Sequence, residues 1–319
     1  MTIIKYGDLC CGLGAFHTTF NRCSNDNIKY ECVFACDIDK NIRNIYQENY
    51  HIRPEGDIYE LDLDSIPEMD ILCAGFPCTT FSIAGKKQAF SDEKRGGIFF
   101  RILEIIDAKE PSIVFLENVK NLHTINNGEV FQTIIDELED RNYHISYKVL
   151  DSKYYNSPQS RERIYIICTK SSPYVFKNIR NAIVPISTII DHTVNQYFEY
   201  EEKYRLERTN SRRSIMKYKL INRISGKGGR QGERVYGIDS YGPTICASSG
   251  GPGAKTGLYE IEPLQIRTLN VLEVLRIFGF NDDYHYESLE NKKMLLFYLG
   301  NSIVVNVLVE LIKDLHHYL

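Results

Sequence analysis

Residues 3–16, IIKYGDLCCGLGAF, decide the fold. Residues 3–9 are an apolar run that reads as a short buried strand, Cys11-Gly12-Leu13-Gly14 reads as a turn, and a helix starts at Ala15. A strand that passes through a glycine turn straight into a helix opens a βα unit, and the unit recurs over the first 170 residues. Residues 32–36 form a second apolar run, stopped by Asp37 and Asp39, with a helix over 41–50. Residues 71–74 run into Gly75-Phe76-Pro77-Cys78, and residues 113–116 into Glu117-Asn118. Between them, residues 98–109 place Ile98, Ile102, Ile105 and Ile106 near one helical face, and 129–141 predict a further helix. Strands alternating with helices imply an α/β fold, a mostly parallel sheet covered on both faces.

The rhythm fails after about residue 170. Residues 170–265 are polar and glycine-rich with short apolar runs, which predicts a small, loop-rich second domain. Residues 203–234 carry eleven Lys and Arg against two acids, Glu207 and Glu233, on a chain whose net charge is −4. That imbalance fits a basic face turned to nucleic acid as well as it fits a solvated helix. Helical periodicity returns over residues 268–278, with Thr268 as the expected N-cap and Gly279 as the stop. The last stretch, 299–319, is apolar at helical spacing after a turn at Gly300-Asn301-Ser302.

With 319 residues, one large and one smaller domain are expected. No apolar run approaches the ~18 residues that span a bilayer, and the N-terminus lacks the features of a signal peptide, so a cytoplasmic protein with no membrane partner is expected. Nine cysteines, an odd number without any CxxC pair, suit neither a disulfide framework nor a zinc site. No metal is expected.

In an open parallel sheet, ligands bind at the carboxyl ends of the strands. Four candidates lie there: the Gly12/Gly14 turn, Asp37, Pro77-Cys78 and Glu117-Asn118. A glycine turn lets backbone approach a ligand, and an acid ending the second strand can accept from ribose hydroxyls, so a nucleoside-containing cofactor is indicated. The dinucleotide fingerprint is incomplete, because His17 stands where its third glycine belongs, which disfavours a nicotinamide oxidoreductase. Cys78 follows a proline and opens a glycine- and lysine-containing stretch, residues 79–97, whose cations would lower a thiol pKa. A thiol and a carboxyl at neighbouring strand ends permit nucleophilic attack with acid assistance, although a buried cysteine and an ion-paired Glu117 are the plainer readings of each alone. Arg161 and Arg163, two apart on an expected strand, would share one face.

Taken in order, DLCCGLGAF (8–16), GDI (56–58), GFPCTTFS (75–82), ENVKNL (117–122), QSRERIYII (159–167), RTLNVLEVLRIFGF (267–280) and LGNSIVVNVL (299–308) resemble the DNA (cytosine-5)-methyltransferases of bacterial type. The resemblance implies a Rossmann-like, S-adenosylmethionine-dependent methyltransferase sheet with a small target-recognition domain. Residues 1–188 and 292–319 would form the catalytic and cofactor-binding domain, and 189–291 the target-recognition domain and hinge. It implies a catalytic set of Cys78, Glu117, Arg161 and Arg163. Cys78 would attack C6 of a flipped cytosine, Glu117 would hold or protonate N3, and Arg163 with Arg161 would contact the base. The implied contacts to S-adenosyl-L-methionine, and to its product S-adenosyl-L-homocysteine, are Asp8, Cys10, Gly12, Leu13, Gly14, Phe16, Asp37, Ile38, Asp57, Ile58, Gly75, Pro77, Asn301 and Ser302. Double-stranded DNA is the implied partner, met by Ser82, Lys86 and Arg95 in a closing loop and by Arg230, Gln231, Arg234 and Thr244 in the recognition region, with Gln231 entering the vacated base stack. A restriction-modification system with a cognate endonuclease, and a monomer, would complete the picture. The competing readings are an RNA (tRNA) cytosine-5 methyltransferase of the same fold and a catalytically silent DNA-binding homologue. Thr79 departs from the family's usual glutamine, Cys10 from an aromatic ring, Ala15 from glycine and Asp37 from glutamate.

Overall fold

The computed structural model describes residues 1–77, 97–209 and 215–319, in two compact units. The first gathers Met1–Leu150, Glu162–Asn178 and Val307–Leu319, and the second Asp151–Arg161 and Ile179–Asn306.

The first unit follows the βα rhythm. Its strands and helices are β1 (Thr2–Leu9), α1 (Ala15–Cys23), β2 (Ile28–Cys36), α2 (Lys40–Tyr50), β3 (Ile71–Gly75), α3 (Ile98–Lys109), β4 (Ile113–Val119), α4 (Glu129–Glu139), β5 (His144–Asp151) and β6 (Glu162–Thr169). The six strands lie in the order β2-β1-β3-β4-β6-β5. β1 pairs in parallel with β2 and β3, and β3 with β4, whereas β6 runs antiparallel to β4. Ile71, Leu72, Cys73 and Ala74 of β3 are all buried, as a strand covered on both faces must be. Leu72, Val114, Leu116 and Ile166 pack in one cluster with Ile102, Ile105 and Ile106 of α3 and Ile134 and Leu138 of α4. Phe115, on the opposite face of β4, meets Phe16 of α1 edge to face at 5.2 Å. Asp39 caps α2, accepting from the Asn41 and Ile42 amides, so the residue that stops β2 also starts the next helix.

The second unit holds a sheet that its sequence did not announce. β7 (Tyr204–Arg208), β8 (Met216–Asn222), β9 (Arg234–Tyr236), β10 (Leu258–Glu262) and β11 (Gln265–Arg267) form it in the order β11-β10-β9-β8-β7. Leu220, Val235, Leu258, Ile266 and Tyr200 are its core. Three helices follow: α5 (Val271–Phe278), α6 (Met294–Asn301) and α7 (Val305–Ile312). The cap of α5 is Asn270 rather than Thr268, since the Asn270 side chain accepts from the Glu273 amide; Gly279 ends the helix with φ +83. Gly300 and Asn301 are the end of α6 rather than a turn, which comes at residues 302–304. The stretch Met294–Ile312, with a mean hydropathy of 1.9, is also longer and more apolar than the sequence expectation allowed, enough to cross a bilayer by composition, but 67% of it is buried within the protein.

The units divide the chain differently from the boundaries at 188/189 and 291/292. Residues 151–161 join the second unit because Ser157 donates to the Ile277 carbonyl (2.9 Å) and Arg161 to carbonyls of residues 245, 300 and 302. Residues 292–306 join it for the same reason, and Asn306 donates to the Asn156 carbonyl at 3.0 Å.

A buried ion pair fixes the start of α5. Arg267 meets Glu273 through two parallel bonds of 2.6 and 2.8 Å, and Glu273 also accepts from the Asp191 and Asn270 amides, each at 2.8 Å. Glu273→Ala would leave a buried guanidinium without its counter-charge, so urea denaturation should show a loss of about 3–5 kcal/mol. A loss under about 1 kcal/mol would mean the pair is not holding the helix.

Candidate active site

The Gly12/Gly14 turn is built as its sequence demands. Gly14 has φ +74, and a Cβ there would lie 2.2 Å from the Tyr50 ring. Tyr50 reaches under the turn from the end of α2 and donates to the Leu13 and Gly14 carbonyls at 2.9 and 3.1 Å. Nothing in the sequence pointed to Tyr50; its signal is only that an aromatic residue ends the helix after Asp37. Gly14→Ala therefore combines left-handed strain of ~1–2 kcal/mol with displacement of that ring. The expected result is a weakened cofactor affinity and a lowered melting temperature, with part of both losses restored when Tyr50→Ala is added.

His17, where a third glycine would have stood, is a core histidine. It stacks on Tyr50 at 4.1 Å, and its Nδ1 lies 2.9 Å from the Tyr46 hydroxyl. Burial pulls its pKa down to about 4. The Tyr46 hydroxyl also donates to Asp8, which is fully enclosed; burial raises the Asp8 pKa well above the usual carboxylate range.

Asp37 stands at the end of β2. Its carboxylate accepts from the Gly12 amide at 3.0 Å and the Asp39 amide at 2.9 Å, binding the turns after β1 and β2 together. Burial raises its pKa and the two amide bonds oppose the rise. Ile38 beside it is 71% exposed, an apolar side chain presented to solvent at a strand end. Asp57 caps the short turn that buries Ile58, accepting from the Tyr59 amide at 3.0 Å. The space a Gly12 Cβ would enter is open, its nearest neighbour being the Cys10 carbonyl at 3.9 Å. An open glycine face, a carboxylate and an exposed aliphatic side chain fit a nucleoside, with its flat base, its diol and its need for close backbone approach. Phe16 and Leu13 are buried behind the turn and act through packing. Cys10 takes φ +52 and packs against the core of the first unit; burial raises its thiol pKa, which leaves an uncharged apolar group where an aromatic ring was expected. Asn301 and Ser302 belong to the second unit.

At the end of β3, Gly75 pairs with Glu117 of β4. Asn118 donates through Nδ2 to the Phe76 carbonyl at 2.8 Å, which fixes the backbone just before Pro77. Glu117 is buried, with its Oε1 3.3 Å from Nε of Arg163 on β6. A carboxylate and a guanidinium are thus presented together beside the proline. Cys78, Ser82, Lys86 and Arg95 lie outside the described residues.

Arg161 and Arg163 meet different partners. β6 begins at Glu162, and Arg161 precedes it, 3% exposed, with its guanidinium on the Ile245, Gly300 and Ser302 carbonyls and over the Phe278 ring. Of the recognition residues, Arg230, Gln231 and Arg234 are exposed, whereas the Thr244 hydroxyl is turned back onto the Ser160 carbonyl at 2.6 Å. Gln231 donates to the Cys246 sulfur at 3.1 Å. Among the described residues, no group of three or more His, Cys, Asp or Glu side chains is placed to hold a metal ion.

A sheet whose antiparallel strand is inserted next to β4 has the fold of the S-adenosylmethionine-dependent methyltransferases. Within that class the chain belongs to the C-5 cytosine-specific DNA methylases, whose family profile it matches over residues 4–317. Its activity class is accordingly DNA cytosine-5 methyl transfer. It is 36% identical to the Type II methyltransferase M.HhaI of Haemophilus parahaemolyticus, covering 97% of this chain and 93% of that one. It is 31% identical to the Type II methyltransferase M.Bsp6I of a Bacillus species, covering 98% and 99%. The fold is shared with the crystal structure of S. pombe Dnmt2 methyltransferase at a TM-score of 0.75 and 18% identity, covering 98% of each chain.

Proposed function

We propose that the protein transfers a methyl group from S-adenosyl-L-methionine to C5 of a cytosine flipped out of a specific duplex DNA sequence, through a covalent adduct between Cys78 and C6. The observation that carries this reading is the Glu117–Arg163 pair at 3.3 Å, on the strand next to the one whose last residue, Gly75, stands two before Pro77 in the chain.

Cytosine C5 is too poor a nucleophile to be methylated directly. Addition of the Cys78 thiolate to C6 pushes electron density onto C5 and N3, and Glu117 accepts or supplies the hydrogen bond at N3 that neutralises the developing charge. Arg163 keeps the Glu117 carboxyl aimed and offers its remaining N–H groups to the base. When bound, S-adenosyl-L-methionine would supply a sulfonium-activated methyl group, and the Gly12–Gly14 turn, Asp37 with Ile38, and Asp57 with Ile58 would hold it; the family resemblance assigns Asn301-Ser302 to the same ligand. Loss of the C5 proton then expels the Cys78 sulfur and restores the aromatic ring. Extrusion of the base costs a few kcal/mol, and the exposed Gln231 is suited to fill the gap.

Arg230 and Arg234, exposed among the cations of residues 203–234, are suited to phosphate or base-edge contact. DNA affinity should then fall steeply between 50 and 200 mM salt, by about 10³-fold if six or more phosphates are neutralised. A flat plot of log affinity against log salt would contradict this.

The relatives are named Type II methyltransferases, and we read this chain as the modification enzyme of a restriction-modification system, cytoplasmic and monomeric, working beside a cognate endonuclease. Bisulfite sequencing of DNA from cells expressing the protein should reveal one methylated motif, and 5-fluorocytosine duplex DNA should trap a covalent adduct. Methyl incorporation into tRNA but not duplex DNA would favour an RNA methyltransferase, and absence of both products would leave a DNA-binding homologue.

A further inference from the structure

Arg161 is a buried cation of the second unit whose guanidinium is held by backbone carbonyls. NH1 donates to the Ile245 carbonyl at 2.9 Å, while NH2 donates to the Gly300 carbonyl at 2.9 Å and the Ser302 carbonyl at 2.8 Å. Its guanidinium carbon sits 5.2 Å from the centre of the Phe278 ring. Its own backbone is held as firmly, since its amide donates to Asp151 at 3.0 Å and its carbonyl accepts from the Ser152 amide at 3.1 Å.

These three carbonyls join two segments with different partners. Residues 300–302 include Asn301 and Ser302, which the methyltransferase reading assigns to the cofactor. Residues 244–247 belong to the recognition region, where the Cys246 sulfur accepts from Gln231. The two segments touch backbone to backbone: a Cβ on Gly300 would lie 2.2 Å from the Ala247 nitrogen. Gln159 and Ser160, the residues just before Arg161, complete the clamp. Gln159 accepts from the Ile245 amide at 3.3 Å, and Ser160 from the Thr244 hydroxyl at 2.6 Å.

We propose that Arg161 is a positioning residue that locks residues 244–247 to residues 300–302, so that occupancy of the cofactor site and engagement of DNA are energetically coupled. The inference rests on the methyltransferase reading and replaces base contact with a different role for Arg161. A planar guanidinium is suited to this, because its fixed fork reaches carbonyls of two segments at once, whereas an ammonium has no such fork. Movement of residues 300–302 on ligand binding shifts the acceptors of NH2, and the rigid fork passes that shift to Ile245 and, through Cys246, to Gln231. Coupling of this kind is reciprocal.

The test measures DNA affinity of the full-length protein with and without saturating S-adenosyl-L-homocysteine, for the wild type, Arg161→Lys and Arg161→Gln. The wild type should bind DNA at least about tenfold tighter with the ligand, within the usual range of coupling. Arg161→Gln should bring that ratio close to one, and Arg161→Lys should fall between. An unchanged ratio in a folded Arg161→Gln protein overturns the inference. A merely structural role would lower both affinities and leave their ratio alone, which also overturns it. Should Arg161→Gln fail to fold, hydrogen exchange on the wild type decides: S-adenosyl-L-homocysteine should slow the Ile245 and Cys246 amides at least about tenfold, and no slowing overturns the proposal. A wild type that binds both ligands without coupling sinks this inference and leaves the proposed function standing. A wild type that binds neither sinks the function itself.

Discussion

A Cys78→Ala protein is expected to lose at least about 10⁴-fold of its methyl-transfer rate while still binding duplex DNA, because removal of an attacking nucleophile takes away the whole covalent route. The measurement is tritiated methyl incorporation into duplex DNA, with a gel-shift assay as control. The expectation comes from chemistry at C5: without a bond at C6, the ring keeps its aromatic electrons and has none to offer the methyl group. Ahead of Cys78 in the chain, Asn118 fixes the Phe76 carbonyl at 2.8 Å. Trapping with 5-fluorocytosine DNA should fail in the variant. Normal turnover without Cys78 would remove covalent addition from the mechanism.

Glu117→Gln should cost about 10²–10⁴-fold in rate, the usual span for a group that moves a proton in the transition state. The loss should fall on kcat, since the amide can still hydrogen-bond a ground-state cytosine at N3 but cannot carry its proton. A second effect accompanies it. Arg163 loses the charge of its partner at 3.3 Å, and its side chain is mostly buried, so a modest fall in melting temperature is expected. Arg163→Lys separates the two contributions. It keeps a positive charge near Glu117 but loses the planar fork, and should retain more activity than Glu117→Gln. If Glu117→Gln keeps full kcat, the carboxyl is an ion-pairing group and nothing more.

Much of the first unit was legible because its strands are buried on both faces and therefore read as unbroken apolar runs, Ile71 to Ala74 being one. α3 could be bounded at both ends, as the isoleucine spacing and the flanking Gly97 agree. β7 to β11 were not legible, because they are short and several are half exposed, so neither alternation nor length separates them from loop. The cap of α5 moved from Thr268 to Asn270 because a reciprocal bond with Glu273 outweighs the threonine hydroxyl. At the site, Glu117, Asp37 and the glycine turn were found from their places at strand ends. The different partners of Arg161 and Arg163 could not be, since the carbonyls of residues 245, 300 and 302 that hold Arg161 are distant in sequence. Tyr50 and Asn118 act through contacts with backbone distant in sequence, which no local pattern reveals.

The first unit includes Val307–Leu319, whose Leu311 carbonyl accepts from the Tyr174 hydroxyl at 3.0 Å, with Leu308, Leu311, Ile312 and Leu315 buried. During synthesis this closing segment leaves the ribosome only after Ile179–Asn306 has been made, a delay on the order of ten seconds at usual elongation rates. Through that interval the nascent domain must keep a greasy seam open to the cell, which makes it a natural client for a holding chaperone.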